Sequence, residues 1–222
     1  MNVLLVLAHP EHRSFNGAMF DTARTTLQAG GHTVLTSDLY RMDFDPVSSR
    51  RNVVTVKDAD YLKLQAEEVW ASETGGFAPD VEAEIAKIEA ADLMIWQFPL
   101  WWFGMPAILK GWVDRVFAMG RTYGNGHLYE TGKFKGKRAL LSLTTGGPEA
   151  AYLKDGFNGD LNAMLRPMHR GMLNFTGFSV LQPQVVYRPV RIDDSQREAC
   201  LAQWAQRLRD IESEEAIEVG RY

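Results

Sequence analysis

Leu93-Met94-Ile95-Trp96-Gln97-Phe98-Pro99-Leu100-Trp101-Trp102-Phe103-Gly104-Met105-Pro106 reads as a buried strand that runs straight into an aromatic loop. A buried strand normally closes in a polar turn, but this one closes in three consecutive aromatics between two prolines. Aromatic surface just past a strand is costly unless something flat covers it. In an open α/β sheet the same place is where ligands bind, outside the carboxyl ends of the strands. The stretch reads as a platform for a planar cofactor or as a hydrophobic plug sealing the sheet. Taken alone it does not choose between them.

On either side, strand-like and helix-like segments alternate. Val3 to Ala8 is a continuous apolar run, the pattern of a parallel strand buried on both faces. A helical pattern follows from about Asn16 and stops at Gly30-Gly31, and Thr33 to Leu39 reads as the second strand. Val81 to Ala90 is a helix that feeds the third strand, and Ile108 to Phe117 is the helix after it. Lys137 to Thr144, Gly159 to Leu173, Val180 to Val186 and Ser195 to Glu212 read as strand, helix, strand and helix, with Asp193 or Asp194 capping the last. This order predicts an α/β fold, a flavodoxin-like doubly wound five-stranded parallel sheet with helices on both faces. Residues 1–222 are expected to form one domain. Residues 41–78 are expected to be an irregular cover, and residues 213–222 a loose tail.

Composition narrows the function. The 222 residues carry 24 basic and 28 acidic side chains, a formal charge of −4, with no long basic run, which argues against nucleic acid as a partner. No apolar stretch approaches the roughly 20 residues that a membrane-spanning helix needs. The first residues lack the basic lead of a signal peptide. One cysteine, Cys200, leaves no internal disulfide, which fits a reducing, cytoplasmic setting. His9, His12, His32, His127 and His169 show no zinc-like spacing with it, and no Gly-x-Ser-x-Gly elbow is present.

Three loops stand out, each just past a strand. His9-Pro10-Glu11-His12-Arg13-Ser14-Phe15-Asn16 leads into a helix N-terminus, where free N–H groups and the dipole suit phosphate. Ser14 and Asn16 are candidate donors there, or simply caps of the helix. This is neither the dinucleotide glycine fingerprint nor a P-loop. The second loop is the aromatic platform. The third is Thr144-Thr145-Gly146-Gly147, whose glycines allow backbone N–H groups to face a polar edge, or make an ordinary turn. Together the three describe a site for a phosphate-bearing ligand with a flat heteroaromatic ring, a description that flavin meets.

The same loops resemble the NAD(P)H:quinone oxidoreductase (DT-diaphorase) family, as a short, bacterial-type member. The likeness rests on Val6-Leu7-Ala8-His9, Ser14-Phe15-Asn16, Ser37-Asp38-Leu39-Tyr40 and Phe44-Asp45-Pro46. Its central block runs from Glu89-Ala90-Ala91-Asp92 through Phe98-Pro99-Leu100 and Trp102-Phe103-Gly104 to Pro106-Ala107-Ile108-Leu109-Lys110-Gly111-Trp112. Thr144-Thr145-Gly146-Gly147, Gly159-Asp160 and Gly177-Phe178 extend it. The resemblance implies a homodimeric FAD enzyme that reduces quinones by two electrons in a ping-pong reaction with NADH or NADPH. It implies that His9, Ser14, Phe15 and Asn16 hold the pyrophosphate and adenosine part, with Arg197 near the adenosine end. Pro99, Leu100, Trp101, Trp102 and Phe103 would line the isoalloxazine, and Thr144, Thr145, Gly146 and Gly147 would bond its polar edge. Trp102, Phe103, Tyr123, Tyr152 and Phe175 would frame the pocket shared by nicotinamide and quinone.

The chain also departs from the family. Asn158 stands where mammalian members place a histidine beside the pocket tyrosine, so Tyr152 and Asn158 would offer neutral hydrogen bonds to the reduced cofactor. Around Tyr123, one pocket tyrosine of the family is replaced by Arg121 or displaced. Arg170 and Asn174 occupy the positions at which zinc-binding relatives have histidines, so no metal is expected. Two alternatives remain at this stage: an FMN-dependent quinone or azo reductase, and a regulatory flavoprotein subunit of a potassium-efflux transporter.

Overall fold

The computed structural model describes residues 1–220 of the chain. Five positions of a parallel sheet run in the order β2-β1-β3-β4-β5, formed by β1 (Asn2–Leu7), β2 (Thr33–Asp38), β3 (Leu93–Pro99), β4 (Arg138–Thr145) and β5 (Ser179–Val180). This is the doubly wound order expected of a flavodoxin-like sheet. The fifth position is split. β5 pairs with the start of β4, and a further strand, β6 (Gln184–Tyr187), pairs with its end. Pro183 lies between them and has no N–H for the ladder, so one continuous strand from Val180 to Val186 does not form.

Alternation within the strands divides the core in two. Val3, Leu5, Leu7, Leu93 and Ile95 pack under α1 (Phe15–Ala29) and α6 (Asp194–Arg209), together with Met19, Phe20, Leu27, Trp204 and Leu208. Leu4, Val6, Met94, Trp96, Leu141 and Leu143 face the other way. They pack under α3 (Pro79–Ala90), α4 (Ala107–Val116) and α5 (Leu161–Met168), against Val81, Ile85, Leu109, Trp112 and Leu165. Period-two alternation makes both faces apolar, so helices must cover both. Pro79 opens α3, and Asp193 caps α6 in a reciprocal box with Gln196.

Three expectations meet a different structure. The helix expected from Gly159 to Leu173 is α5 followed by π winding over His169–Asn174, beginning just after Pro167 removes a helix donor. The supposedly irregular 41–78 contains α2 (Leu64–Thr74), and its Glu67 organises the preceding loop. Glu67 accepts the Lys57 N–H at 2.7 Å and the Asp58 N–H at 3.0 Å, and pairs with Arg50. The tail expected to be loose is docked as far as it is described: the Ile217 N–H donates to the Val180 carbonyl at 2.8 Å, and Ile217 and Val219 pack on the core. Residues 221–222 lie outside the described residues.

Register places the functional loops together. Leu7 pairs with Gln97 and Pro99 with Thr144, so the carboxyl ends of β1, β3 and β4 finish at one edge. The Ala8 N–H to the Gln97 carbonyl (2.9 Å) and the Leu100 N–H to the Thr144 carbonyl (2.8 Å) carry the alignment beyond the strands.

Candidate active site

At that edge His9, Ser14, Phe15, Asn16, Pro99, Leu100, Trp101, Trp102, Thr144, Thr145 and Gly146 line one open hollow of ≈ 380 Å³, walled on the far side by Pro189 and Val190. All three loops singled out from sequence therefore meet. What each residue does there differs from its sequence reading in instructive ways.

Ser14 is the N-cap of α1: its hydroxyl accepts the Gly17 N–H at 3.2 Å. The N–H groups of Phe15 and Asn16 precede that bond and have no acceptor among the described residues, so they stay free at the helix mouth. A Cβ on Gly17 would stand 1.7 Å from the His12 carbonyl oxygen, so only glycine lets the first loop fold this closely against the helix. Asn16 is no free donor. Its Oδ1 accepts from Gln97 Nε2 at 2.9 Å, and its Nδ2 donates to Thr144 Oγ1 at 3.0 Å, tying α1, β3 and β4 together beneath the hollow. His9 Nδ1 lies 3.0 Å from the Glu11 backbone, which engages that nitrogen with the loop and leaves Nε2 for other partners.

The aromatic loop is a tight hairpin. Trp101 and Gly104 exchange two backbone hydrogen bonds of 3.0 Å, with Trp102 and Phe103 as the central pair at φ 52° and 57°. This matches the two-residue turn that needs positive φ at both central residues and strongly prefers Asn-Gly there. Two aromatics in that conformation are strained by roughly 1–2 kcal/mol each. Trp102 is 98% exposed, so it recovers nothing through packing within the chain. Strain combined with full exposure makes the turn a presented surface rather than a plug packed within this chain.

Past β4, the Thr145 hydroxyl donates to the Gly147 carbonyl at 2.9 Å. A Cβ on Gly147 would press within 3.1 Å of the Tyr152 ring and 3.2 Å of Asn158 Nδ2, so Gly147, Tyr152 and Asn158 form one cluster. Tyr152 is buried and packs 6.0 Å from the Tyr187 ring. Burial pushes the Tyr187 phenol above its ordinary value, helped by Glu149 and Tyr152 nearby.

Arg197 lies beside the hollow, not in it. It lines an adjoining groove with Arg13, Ser14, Phe15, Pro189 and Val190. Its guanidinium is already taken by the Pro189 and Ile192 carbonyls and by Asp194, so it braces the groove wall. Arg121 is likewise no pocket residue: it pairs with Glu82 and Glu89 on α3.

The expected substrate pocket is not assembled within one chain. Tyr123 and Phe175, with ring centroids 5.6 Å apart, line a second cavity of ≈ 320 Å³ that shares no residue with the first. Glu68, Lys110, Asp114 and Phe117 complete much of its wall. Burial raises the Tyr123 phenol, whose oxygen accepts from Gln65 Nε2 at 3.2 Å. Glu68 was missed by the sequence reading, because an acidic residue on an amphipathic helix looks like a solvated one. Arg170 donates to Asn174 Oδ1 at 2.9 Å, contacts the Val219 carbonyl at 3.4 Å and lies 4.2 Å over the Tyr129 ring. A guanidinium thus fastens the tail at the two positions the sequence analysis compared with metal ligands.

Residues 1–208 match the family model described as a flavodoxin-like fold. NAD(P)H dehydrogenase [quinone] 1 of Cavia porcellus is 45% identical over 209 residues, 94% of this chain and 76% of that protein. Ribosyldihydronicotinamide dehydrogenase [quinone] of Rattus norvegicus is 44% identical over 216 residues, 97% of this chain and 94% of that protein. A Klebsiella pneumoniae structure provisionally named a quinone reductase superposes with a TM-score of 0.94 at 40% identity, covering 98% of this chain and 87% of that one. The chain belongs to the flavodoxin-like NAD(P)H:quinone oxidoreductase family.

Proposed function

We propose that the protein is an FAD-dependent enzyme that reduces quinones by two electrons at the expense of NADH or NADPH, working as a homodimer. The observation that carries this reading is the strained, exposed Trp102–Phe103 turn set across the hollow from the free N–H groups of α1. One side is a stacking surface for a flat ring and the other an anion site. The residues present fit a flavin on that chemistry. The hollow is also continuous with the groove toward Arg197 through the shared residues Ser14, Phe15, Pro189 and Val190. That length suits a dinucleotide rather than a mononucleotide, which favours FAD over FMN.

The chemistry FAD supplies when bound is hydride acceptance from the nicotinamide and delivery to the quinone, in alternating half-reactions. The chain's own residues bind and orient. Phe15 and Asn16 N–H groups hold the pyrophosphate, Trp101 and Trp102 cover the ring system, and Gly146 and Gly147 bring backbone to its polar edge. The Tyr152 hydroxyl and Asn158 amide steady charge there through neutral hydrogen bonds. In a two-fold dimer, Tyr123 and Phe175 of one protomer would close over the platform of the other and exclude water, which accounts for two half-sites in separate cavities.

Anaerobic titration of the purified protein with NADH or NADPH tests this. Bleaching of the flavin band, full recovery on adding a benzoquinone, and release of FAD on denaturation are the expected results. A protein that holds no flavin after reconstitution refutes the proposal.

A further inference from the structure

The Tyr123–Phe175 cavity holds one group for which quinone reduction, as described, has no use. Glu68 on α2 is only 5% exposed, yet no Lys, Arg or His among the described residues pairs with it. Its Oε2 accepts the Met119 N–H at 2.8 Å, while Oε1 has no bonded partner among the described residues. Its neighbour Glu67 is fully occupied by Arg50, Lys57 and Asp58. Lys110, on the same cavity wall, is held by Asp114 at 2.6 Å. The rings of Phe117, Tyr123 and Phe175 line the rest. A carboxylate largely withdrawn from water, with one oxygen bonded and the other open to the cavity, attracts a cation, and aromatic faces attract cations as well.

We propose that this cavity receives a cationic, ammonium-bearing substituent of the quinone acceptor, with Glu68 as the specificity-determining carboxylate and Phe117, Tyr123 and Phe175 as its aromatic walls. This deepens the proposed function and rests on it. The volume of ≈ 320 Å³ lies within the range of small-molecule pockets and admits a quaternary ammonium arm. Nothing in the general reaction requires such a charge, so the cavity would sort acceptors rather than perform the transfer.

The test uses flavin-loaded full-length enzyme and three naphthoquinones that differ only at the end of one side chain: trimethylammonium, hydroxyl or carboxylate. At saturating NADH the wild type is expected to favour the trimethylammonium over the carboxylate compound by about tenfold or more in kcat/KM, a difference of about 1.4 kcal/mol, carried mainly in KM. Glu68→Gln, which keeps the Met119 bond, is expected to bring the ratio to within about twofold, while Glu68→Asp restores part of it. Lowering the pH should weaken the wild-type preference, because protonation removes the Glu68 charge and burial raises that carboxyl above its ordinary value. Tyr123, Lys110 and Asp114 also face the cavity, and only Glu68 among the four is removed in the Gln variant. Equal wild-type kcat/KM for the charged pair, with normal turnover of the hydroxyl compound, overturns the inference and leaves the proposed function standing. A preference that persists in Glu68→Gln overturns the role of Glu68. Failure to reduce all three compounds defeats the proposed function itself.

Discussion

Trp102→Asn should make the flavin-free protein more stable and the enzyme worse. Trp102 sits at φ 52° on a tight turn and is 98% exposed, so its removal forfeits almost no packing. Asparagine populates the left-handed region several-fold more readily than most residues, which corresponds to about 1 kcal/mol. For a chain of this size that raises the melting temperature of the apoprotein by roughly 2–4 °C. With flavin present that advantage should shrink to near zero. Losing one stacked ring costs about 0.5–1.5 kcal/mol of interaction, which weakens flavin binding by roughly two- to tenfold. Ligand linkage then offsets the gain of about 1 kcal/mol, so the saturated variant and wild type should melt within about 2 °C of one another at equal flavin. Calorimetry of both forms, with fluorescence titration of flavin, measures each part. An apoprotein no more stable than wild type would refute the strain argument. Unchanged flavin affinity would refute the assignment of Trp102 as the platform.

Gly17→Ala should destabilise the protein by about 3 kcal/mol and abolish flavin retention, because its Cβ would stand 1.7 Å from the His12 carbonyl; flavin content after purification reports it. Glu84 is fully buried and accepts from Ser37 Oγ at 2.6 Å, Trp112 Nε1 at 2.8 Å and Lys87 Nζ at 2.6 Å. Glu84→Ala strands the Trp112 donor and leaves Lys87 only the Thr36 carbonyl and Ser37 hydroxyl in place of its charge partner, and should cost about 3–5 kcal/mol in urea unfolding, with little change in flavin affinity. His169 is buried with its Nε2 lacking a partner, and burial lowers its pKa to about 4. The unfolded chain, near its ordinary value of about 6.5, therefore binds more protons in between, so stability should fall as pH drops from about 6.5 toward 4, by up to about 1.4 kcal/mol per unit. His169→Phe should flatten that limb, and a slope identical to wild type in pH-dependent urea melts would refute the assignment.

The strands and the three loops were legible because continuous apolar runs, paired glycines and misplaced aromatics are local signals. Gly30-Gly31 and Asp193 mark helix ends by the same local chemistry. What escaped depends on partners distant in sequence. The break between β5 and β6 follows from Pro183, which was visible but was read through. Asn16 looked like a ligand donor because nothing near it in sequence announces Gln97 or Thr144 as its partners. Tyr123 and Phe175 were placed with Trp102 by resemblance, and the chain alone keeps them in another cavity. Glu67 and Glu68 carry no local signal of their roles, although one knits a loop and the other faces a hollow. Residues 213–222 read as loose because the acidic side chains there conceal Ile217 and Val219, which pack on the core.

The bracket beneath the hollow has a direction. Gln97 Nε2 donates to Asn16 Oδ1 as well as to Met19 Sδ, which turns the Asn16 amide so that its N–H meets Thr144 Oγ1. Thr144 Oγ1 accepts that hydrogen bond and must point its own hydrogen elsewhere. A relay of this kind behaves like a one-way valve for polarity. An amide on the third strand dictates which way a hydroxyl on the fourth can turn, and no side chain along the line can invert alone. Drift at Gln97 would therefore be felt as an altered preference for electron-rich atoms at a surface Gln97 never touches.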